Sequence, residues 1–248
     1  MLKKISNLFS SVKRNLSSHK INFIYIMNSK LKYKSYIRIQ YECQYHWHGN
    51  NYGGFFINEE NINSHSIIYS FGVGEDLSFD ISLVNKFKCQ IFAFDPTPKS
   101  IKWFNENNKS ENIKLHEYGI SKNTGVQDFY LPKNSENVSG SCINHYNMDS
   151  TNIVKVNMYE LKDIRYLLKH DKIDILKMDI EGVEYEVIDS ILESGIEIKQ
   201  LVCEFHERYF TDGTSKTKTF IKKMNKYGFK IFAYSKILEE VSFIKTGA

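Results

Sequence analysis

The sequence predicts one α/β domain with a mainly parallel sheet, helices on both faces of the sheet and an antiparallel hairpin at its C-terminal end. Short β-rich runs alternate with helical runs over most of the chain, and this alternation is typical of a parallel sheet. The 248 residues, 42% of them hydrophobic, suffice for one complete core and are too few for two ordinary enzyme domains. About six residues separate the last two β-rich runs, which leaves no room for a crossover helix and predicts an antiparallel pair.

The strands and helices follow from periodicity. Runs rich in β-branched and aromatic residues predict strands at 66–71, 90–94, 113–117, 128–131, 173–178, 200–205, 229–234 and 241–244. Apolar residues at steps of three and four predict helices within 77–87, 98–104, 161–168, 187–192 and 220–224. Each helix falls between two strands, as a doubly covered sheet requires.

Charge divides the chain into two parts. Nine Lys and Arg residues precede Glu42 without a single acid, so the net charge of +4 leaves about −5 for the rest. Residues 2–16 form the pattern of an amphipathic basic helix, which either packs on protein or lies on a membrane surface. We therefore divide the chain into an arm, 1–35, and a domain, 36–248, and expect no nucleic-acid partner because the body is mildly acidic.

Cysteine usage and hydropathy indicate the compartment. The four cysteines are far apart and include no Cys-x-x-Cys pair, which excludes a zinc knuckle and a thioredoxin motif. The apolar stretch 21–27 is well short of the roughly 20 residues of a membrane span. We expect a cytoplasmic protein, with peripheral contact at the inner face of a membrane through residues 2–16 as an open alternative to contact with protein.

A glycine loop follows the first long strand. Phe71, Gly72 and Gly74 begin the segment FGVGED, at the carboxyl end of a strand where ligands bind in open parallel sheets. Glycine lets a ligand approach the backbone closely. A tight turn without a ligand is the plain alternative for this loop.

Acidic residues around this loop indicate which ligand it takes. Asp95 ends the next strand, where one carboxylate can accept hydrogen bonds from both ribose hydroxyls; capping of the following helix is the alternative. The loop lacks a third glycine, and Glu75 and Asp76 would repel a pyrophosphate. These features favour S-adenosylmethionine over NAD.

A second group of polar residues ends the strands on the other side of the loop. Asp179 and Glu181 follow one strand, whereas Glu184 is interpreted as a first-turn acid that favours the helix dipole. Glu204 and His206 end the next strand and share one side of it. His206 has the ordinary pKa range of a proton acceptor. Three of these residues, Asp179, Glu204 and His206, could also hold a divalent metal, but their spacing identifies none, and we expect no metal.

Several segments together resemble the FkbM-type family of S-adenosylmethionine-dependent methyltransferases. They are NYGGF at 51–55, YSFGVGED at 69–76, FDPT at 94–97, ILKMDIEG at 175–182, EFH at 204–206, FKIF at 229–232 and SFI at 242–244. They occur in family order, and KMDIEG is the most specific. Tyr52 departs from the Asp that many relatives have before the paired glycines.

The resemblance implies a Rossmann-like class I methyltransferase fold with a seven-stranded sheet. It implies S-adenosylmethionine as cofactor, bound by Phe71, Gly72, Gly74, Glu75, Asp95, Pro96, Gly119 and Ile120. From position and chemistry we expect His206 to act as base, with Asp179 or Glu181 orienting it or binding the acceptor, and either assignment could be exchanged. Glu204 is the fourth expected catalytic residue.

The expected reaction is O-methylation of a sugar, glycan or small metabolite. A homo-oligomer is an open alternative to a monomer. Residues 138–141 and 145–146 either line the acceptor pocket or form a plain surface loop. A methyltransferase-like binding module without turnover, recruited through its basic helix, is the alternative. The only prolines are Pro96, Pro98 and Pro132, which excludes an Asn-Pro-Pro-Tyr amino-methylating enzyme.

Overall fold

The computed structural model describes residues 36–134 and 136–247. The predicted basic helix at 2–16 and the arm 1–35 therefore lie outside the described residues. The described chain falls into two compact units, one with residues 36–38 and 236–238, the other with 39–235 and 239–247. Every strand and helix given below belongs to the larger unit. Within the described residues, no helix is long and apolar enough to cross a membrane.

Strands and helices alternate as the periodicity predicts. The strands are β1 His46–His48, β2 Phe55–Ile57, β3 Ile67–Phe71, β4 Gln90–Phe94, β5 Ile113–His116, β6 Gly119–Ile120, β7 Gly125–Pro132, β8 Met148–Tyr159, β9 Lys172–Met178, β10 Glu197–Glu204, β11 Phe229–Tyr234 and β12 Glu240–Lys245. The helices are α1 Ser78–Phe87, α2 Pro98–Asn107, α3 Leu161–Leu168, α4 Glu184–Glu193 and α5 Gly213–Lys226, with a 3-10 turn at Glu207–Tyr209.

Seven strands form the central sheet in the order β11-β12-β10-β9-β3-β4-β5. The four neighbouring pairs from β10 to β5 are parallel, and β12 is antiparallel to both β10 and β11. The predicted fold class, a mainly parallel seven-stranded sheet with a C-terminal antiparallel hairpin, is confirmed. The hairpin folds inward, since β12 lies between β10 and β11 and leaves β11 at the edge.

One predicted strand belongs elsewhere. Residues 128–131 lie in β7, which pairs with β8 in a separate sheet ordered β6-β8-β7. The sequence analysis did not predict β8, most of whose residues are exposed or half-buried. Because a strand with little buried surface needs few apolar residues, it leaves a weak pattern in the sequence.

Burial on both faces explains the central strands. In β9 every residue from Ile173 to Met178 is buried, as expected for a parallel strand covered by helices on both faces. Ile68, Ile91 and Ile175 pack in the main hydrophobic core with residues of α1. This packing fixes the register, and so the carboxyl ends of β3, β4, β9 and β10 meet at one edge of the sheet.

Candidate active site

The glycine loop lies at the carboxyl end of β3, in backbone contact with the end of β9. Gly72 has φ +82°, and a Cβ there would lie 1.7 Å from the carbonyl oxygen of Asp179. Only glycine fits this position. Gly74 has φ +56°, yet a Cβ there would meet nothing within 4 Å. The two glycines therefore differ: Gly72 closes the loop onto β9, and Gly74 borders open space.

Asp95 holds the glycine loop in place. Its Oδ2 accepts hydrogen bonds from the backbone N–H groups of Val73 and Gly74, both at 2.9 Å, and its Oδ1 accepts one from Thr97 at 2.8 Å. The residue is buried. A carboxylate offers about four acceptor positions, so one remains for a ligand. The sequence analysis predicted a ligand contact for Asp95 and did not predict that its carboxylate holds the glycine loop.

Asp76 has a comparable task on the outer side of the loop. Its carboxylate accepts hydrogen bonds from the Asn50 side-chain amide at 2.8 Å and from the Ser78 backbone N–H at 2.7 Å. Asn50 in turn accepts from the backbone N–H of Tyr52 and holds the 49–54 loop. Glu75 is exposed, 3.8 Å from the Lys99 ammonium. Asp76 thus ties two loops together.

The other predicted cofactor residues are placed as follows. The Phe71 ring is buried and stacks on Phe94 with centroids 4.3 Å apart, so only its backbone borders the loop. Gly119 and Ile120 form the buried strand β6. A Cβ at Gly119 would lie 3.2 Å from Pro96 and 2.8 Å from the end of a methionine side chain. These residues form one wall beside the end of β4, and the structure brings Pro96 and Gly119 together.

The four predicted catalytic residues converge at the ends of β9 and β10. The His206 Nε2 atom lies 3.4 Å from Glu181 Oε2, 3.6 Å from Asp179 Oδ1 and 3.6 Å from Glu204 Oε1. We call these four residues the acidic cluster. His206 is fully buried, whereas the Asp179 side chain is 27% exposed. Asp179 is therefore the most exposed member of the cluster.

Glu184 lies in the first turn of α4, as interpreted, and its carboxylate has a second task that this interpretation did not include. Its side chain is 0% exposed. Its Oε1 accepts the His206 backbone N–H at 2.8 Å and lies 3.3 Å from His206 Nδ1, and its Oε2 accepts the Gly182 N–H at 2.9 Å. With these three contacts, the buried Glu184 carboxylate holds His206 in position from the Nδ1 side of its ring.

The turn that carries Glu181 is strained. Glu181 has φ +53°, and Gly182 follows at φ +97°. A left-handed backbone costs a residue with a Cβ about 1–2 kcal/mol. The Ser141 hydroxyl donates to the Glu181 carbonyl at 2.9 Å and helps to hold the turn. The 138–141 segment therefore contacts the site through Ser141, and its predicted part in an acceptor pocket stays a prediction.

Charge is unevenly balanced in the acidic cluster. Burial opposes a charged ring at His206, but the carboxylates of Glu184, Glu204 and Glu181 outweigh it and raise the pKa of His206 to about 10. Burial and the Asp179 carboxylate raise the pKa of Glu204 to about 8. Burial also raises the pKa of Asp179, whereas His206 and Tyr209 hold the pKa of Glu181 below its usual range despite its burial. One imidazole thus faces several carboxylates.

Tyr209 is a site residue that sequence reasoning missed. Its hydroxyl donates to Glu181 Oε2 at 2.7 Å, and its ring stacks on His145 with centroids 3.7 Å apart. It lies in the 3-10 turn that follows His206. Its position three residues after His206 was the available signal, because one helical turn brings such residues to the same side.

Comparison with known proteins identifies the family of this chain. A family model described as methyltransferase FkbM domain matches residues 69–231. The chain belongs to the FkbM methyltransferase family. Membership confirms the family that the motifs indicated, and with it S-adenosylmethionine as the methyl donor. The match spans the glycine loop and the whole acidic cluster.

Individual relatives of this FkbM-family chain are distant. The human probable methyltransferase-like protein 24 is 28% identical over 144 residues, which are 56% of this chain and 32% of that protein, so the chain spans about a third of its length. Methyltransferase FkbM from Methylobacillus flagellatus KT is 13% identical, with a TM-score of 0.44 over 73% of this chain and 44% of the other. Aeropyrum pernix fibrillarin, solved with natively bound S-adenosyl-L-methionine, is 10% identical, with a TM-score of 0.41 over 73% and 66%.

Proposed function

We propose that this chain is an S-adenosylmethionine-dependent O-methyltransferase that acts on a hydroxyl of a sugar, glycan or small metabolite. The observation that carries the proposal is the contact between Gly72 and Asp179. It joins a glycine loop with open space beside it to a cluster of carboxylates, at one edge of the sheet. A methyl donor and a hydroxyl acceptor need such adjacent sites.

The residues at the loop fit the cofactor. Gly74 leaves open the space that any side chain would fill, and Asp95 keeps one acceptor position for a ribose hydroxyl. Pro96 and Gly119 form the wall beside Asp95. When bound there, S-adenosylmethionine supplies an activated methyl group on a sulfonium. The nearby carboxylates suit a ligand of positive charge.

The acidic cluster is suited to an acceptor hydroxyl. A hydroxyl that gains a methyl group must give up its proton. Asp179 is the most exposed carboxylate of the cluster, and we assign to it the hydrogen bond from the acceptor and the receipt of this proton. His206 is buried behind it. The prediction that His206 itself takes the proton stays a prediction and is tested in the same assay.

Tyr52 supports a sugar or another hydroxyl-rich ring as acceptor. Its side chain is 82% exposed on the loop that Asn50 holds. This loop is tied to the glycine loop by the hydrogen bond between Asn50 and Asp76, and the glycine loop in turn contacts Asp179 of the cluster. An exposed aromatic ring with a polar tip beside hydrogen-bond acceptors offers both a flat face and polar contacts to a sugar.

The test separates cofactor binding from turnover. Calorimetry should show binding of S-adenosylmethionine and none of NAD, and a panel of sugars, sugar nucleotides and small alcohols should reveal methylated product. Asp179→Asn should retain cofactor affinity within a fewfold and lose about 10²–10⁴ in rate. Asp189→Asn, at an exposed carboxylate paired with Lys223, is the matched control.

Each failure has a distinct meaning. Without cofactor binding, the proposed function is wrong. If Asp179→Asn turns over at close to the wild-type rate, the proton acceptor is another member of the cluster, and His206→Ala is examined next. Binding without turnover on the whole panel would favour the non-catalytic binding module.

A further inference from the structure

One buried atom of the acidic cluster has no hydrogen-bond partner among the described residues. It is His206 Nε2, on a fully buried side chain. It points to the space between Asp179, Glu181 and Glu204, whose nearest oxygens lie 3.4–3.6 Å away and form no hydrogen bond with it. A buried polar atom in that position needs a partner. We propose that Asp179, Glu181 and His206 bind one divalent metal cation of the Mn²⁺ or Zn²⁺ type.

The far side of the imidazole supports this orientation. His206 Nδ1 faces Glu184 Oε1 at 3.3 Å, and the same oxygen accepts the His206 backbone N–H. A carboxylate accepts but cannot donate, so Nδ1 carries the hydrogen. Nε2 is then the ring atom that faces the three carboxylates, and a cation that binds there takes the place of the Nε2 proton. Metal-binding histidines usually have such a carboxylate on their other nitrogen.

The cations nearby are turned to other partners. The Lys177 ammonium donates to the Gly72 carbonyl at 2.5 Å. The Arg208 guanidinium lies 3.0 Å from Glu239 and 3.4 Å from Glu204 Oε1. Lys177 and Arg208 act on Asp179 and Glu181 through their charge, but among the described residues neither forms an ion pair with them. The space in front of Nε2 therefore combines several carboxylates with one imidazole. A divalent cation in this space would offset that excess of negative charge.

The geometry fits a cation of this kind. One ligand atom each from Asp179, Glu181 and His206 lies within 4.8 Å of the other two. With metal–ligand bonds of about 2.1 Å, the distances of 3.4–3.6 Å from His206 Nε2 to the Asp179 and Glu181 oxygens correspond to ligand–metal–ligand angles of about 110°. Two carboxylates with one imidazole suit Mn²⁺ or Zn²⁺, since Mg²⁺ and Ca²⁺ prefer oxygen ligands alone. The sequence predicted no metal because spacing along the chain does not show this convergence.

The cation deepens the proposed function and rests on it for its role. A bound cation beside Asp179 lies next to the glycine loop, since Gly72 touches the Asp179 backbone. A cation held there would make an acceptor hydroxyl give up its proton more easily, and the Asp179 oxygen that does not hold the cation would receive that proton. The cluster would thereby gain a means of activating an acceptor hydroxyl.

The test measures metal binding directly, in the full chain after removal of metals with a chelator. Mn²⁺ is titrated into the protein, and binding is monitored as the loss of the electron paramagnetic resonance signal of the free ion. The titration should show one site of about micromolar affinity, and Zn²⁺ should displace the Mn²⁺. Asp179→Asn and His206→Ala should each weaken Mn²⁺ binding at least about tenfold. His46→Ala is the matched control, because His46 also lies beside a carboxylate, Glu59, but is exposed.

The outcomes distinguish the two proposals. Asp179→Asn keeps the side-chain shape, so its result stands even if His206→Ala, at a buried position, does not fold. A wild-type chain that binds neither Mn²⁺ nor Zn²⁺ below about 1 mM, or an Asp179→Asn variant that binds Mn²⁺ as tightly as wild type, refutes the metal site. Methyl transfer that persists in excess chelator refutes its catalytic role and leaves the proposed function standing. Metal binding without S-adenosylmethionine binding refutes the proposed function and leaves the metal site standing.

Discussion

Asp95 is expected to contribute to stability as well as to cofactor binding. Its two oxygens accept three backbone N–H groups, from Val73, Gly74 and Thr97, and two of these bonds are fully buried. A buried donor left without an acceptor costs about 1–3 kcal/mol. Asparagine retains one oxygen and can satisfy the loop pair or Thr97, but not both. Alanine satisfies none of them.

The expected losses follow from this count of donors. Asp95→Asn should lower the free energy of unfolding by about 2 kcal/mol and Asp95→Ala by about 4 kcal/mol. For a chain of this size these values correspond to about 4–8 °C and 8–16 °C in melting temperature. Cofactor affinity should fall in both variants, because the loop loses its anchor and the ribose loses a charged acceptor.

Urea unfolding and calorimetry with S-adenosylmethionine measure the two effects in one preparation. Asp128→Asn is the control, since Asp128 is a half-exposed carboxylate paired with Lys155 away from the loop. If both Asp95 variants unfold within about 0.5 kcal/mol of wild type, the three hydrogen bonds do not anchor the loop. A loss of affinity alone would restore the simpler interpretation of Asp95 as a ribose ligand.

Three further predictions concern other parts of the fold. Burial raises the pKa of Asp80 from its usual value of 3.8 to about 6, so the native state loses stability as pH rises between these values. In urea at pH 7 the free energy of unfolding of Asp80→Asn should exceed that of wild type by up to about 3 kcal/mol, with no gain below pH 4. Gly72→Ala should fail to fold or melt far lower, because its Cβ meets the Asp179 carbonyl, whereas Gly74→Ala should fold with a small loss and bind S-adenosylmethionine more weakly in calorimetry. Removal of residues 1–35 should preserve the melting temperature and cofactor affinity, since all seven central strands follow Ser66, and should reduce retention on anionic vesicles in a sedimentation assay.

The strands of the central sheet could be predicted because burial leaves a local signal. All seven correspond to runs of apolar and β-branched residues, and their ends agree with the sequence within a few residues. The strands that were missed lack that signal. β1 and β2 are three residues long, and β8 is mostly exposed or half-buried. Their pairing depends on neighbours distant in sequence, which periodicity does not report.

The part of the site that the sheet topology determines could be predicted from the sequence. Residues at the carboxyl ends of β3, β4, β9 and β10 had to meet once the sheet was parallel, and Asp179, Glu204 and His206 do meet. The contact of Glu184 with His206 was not predicted because an acid in the first turn of a helix already has an adequate local explanation. Its burial against His206 is a tertiary contact that the local sequence does not contain.

Glu181 shows most clearly why residue type and position together point to function. A surface turn with a left-handed residue followed by another at positive φ is normally built from glycine or asparagine, which bear that backbone at little cost. Here glutamate occupies the first position, its carbonyl held by Ser141 and its carboxylate held by Tyr209 and turned to His206. The fold gains nothing from a strained glutamate. The glutamate at this position therefore serves to hold a carboxylate where the glycine loop and the acidic cluster meet.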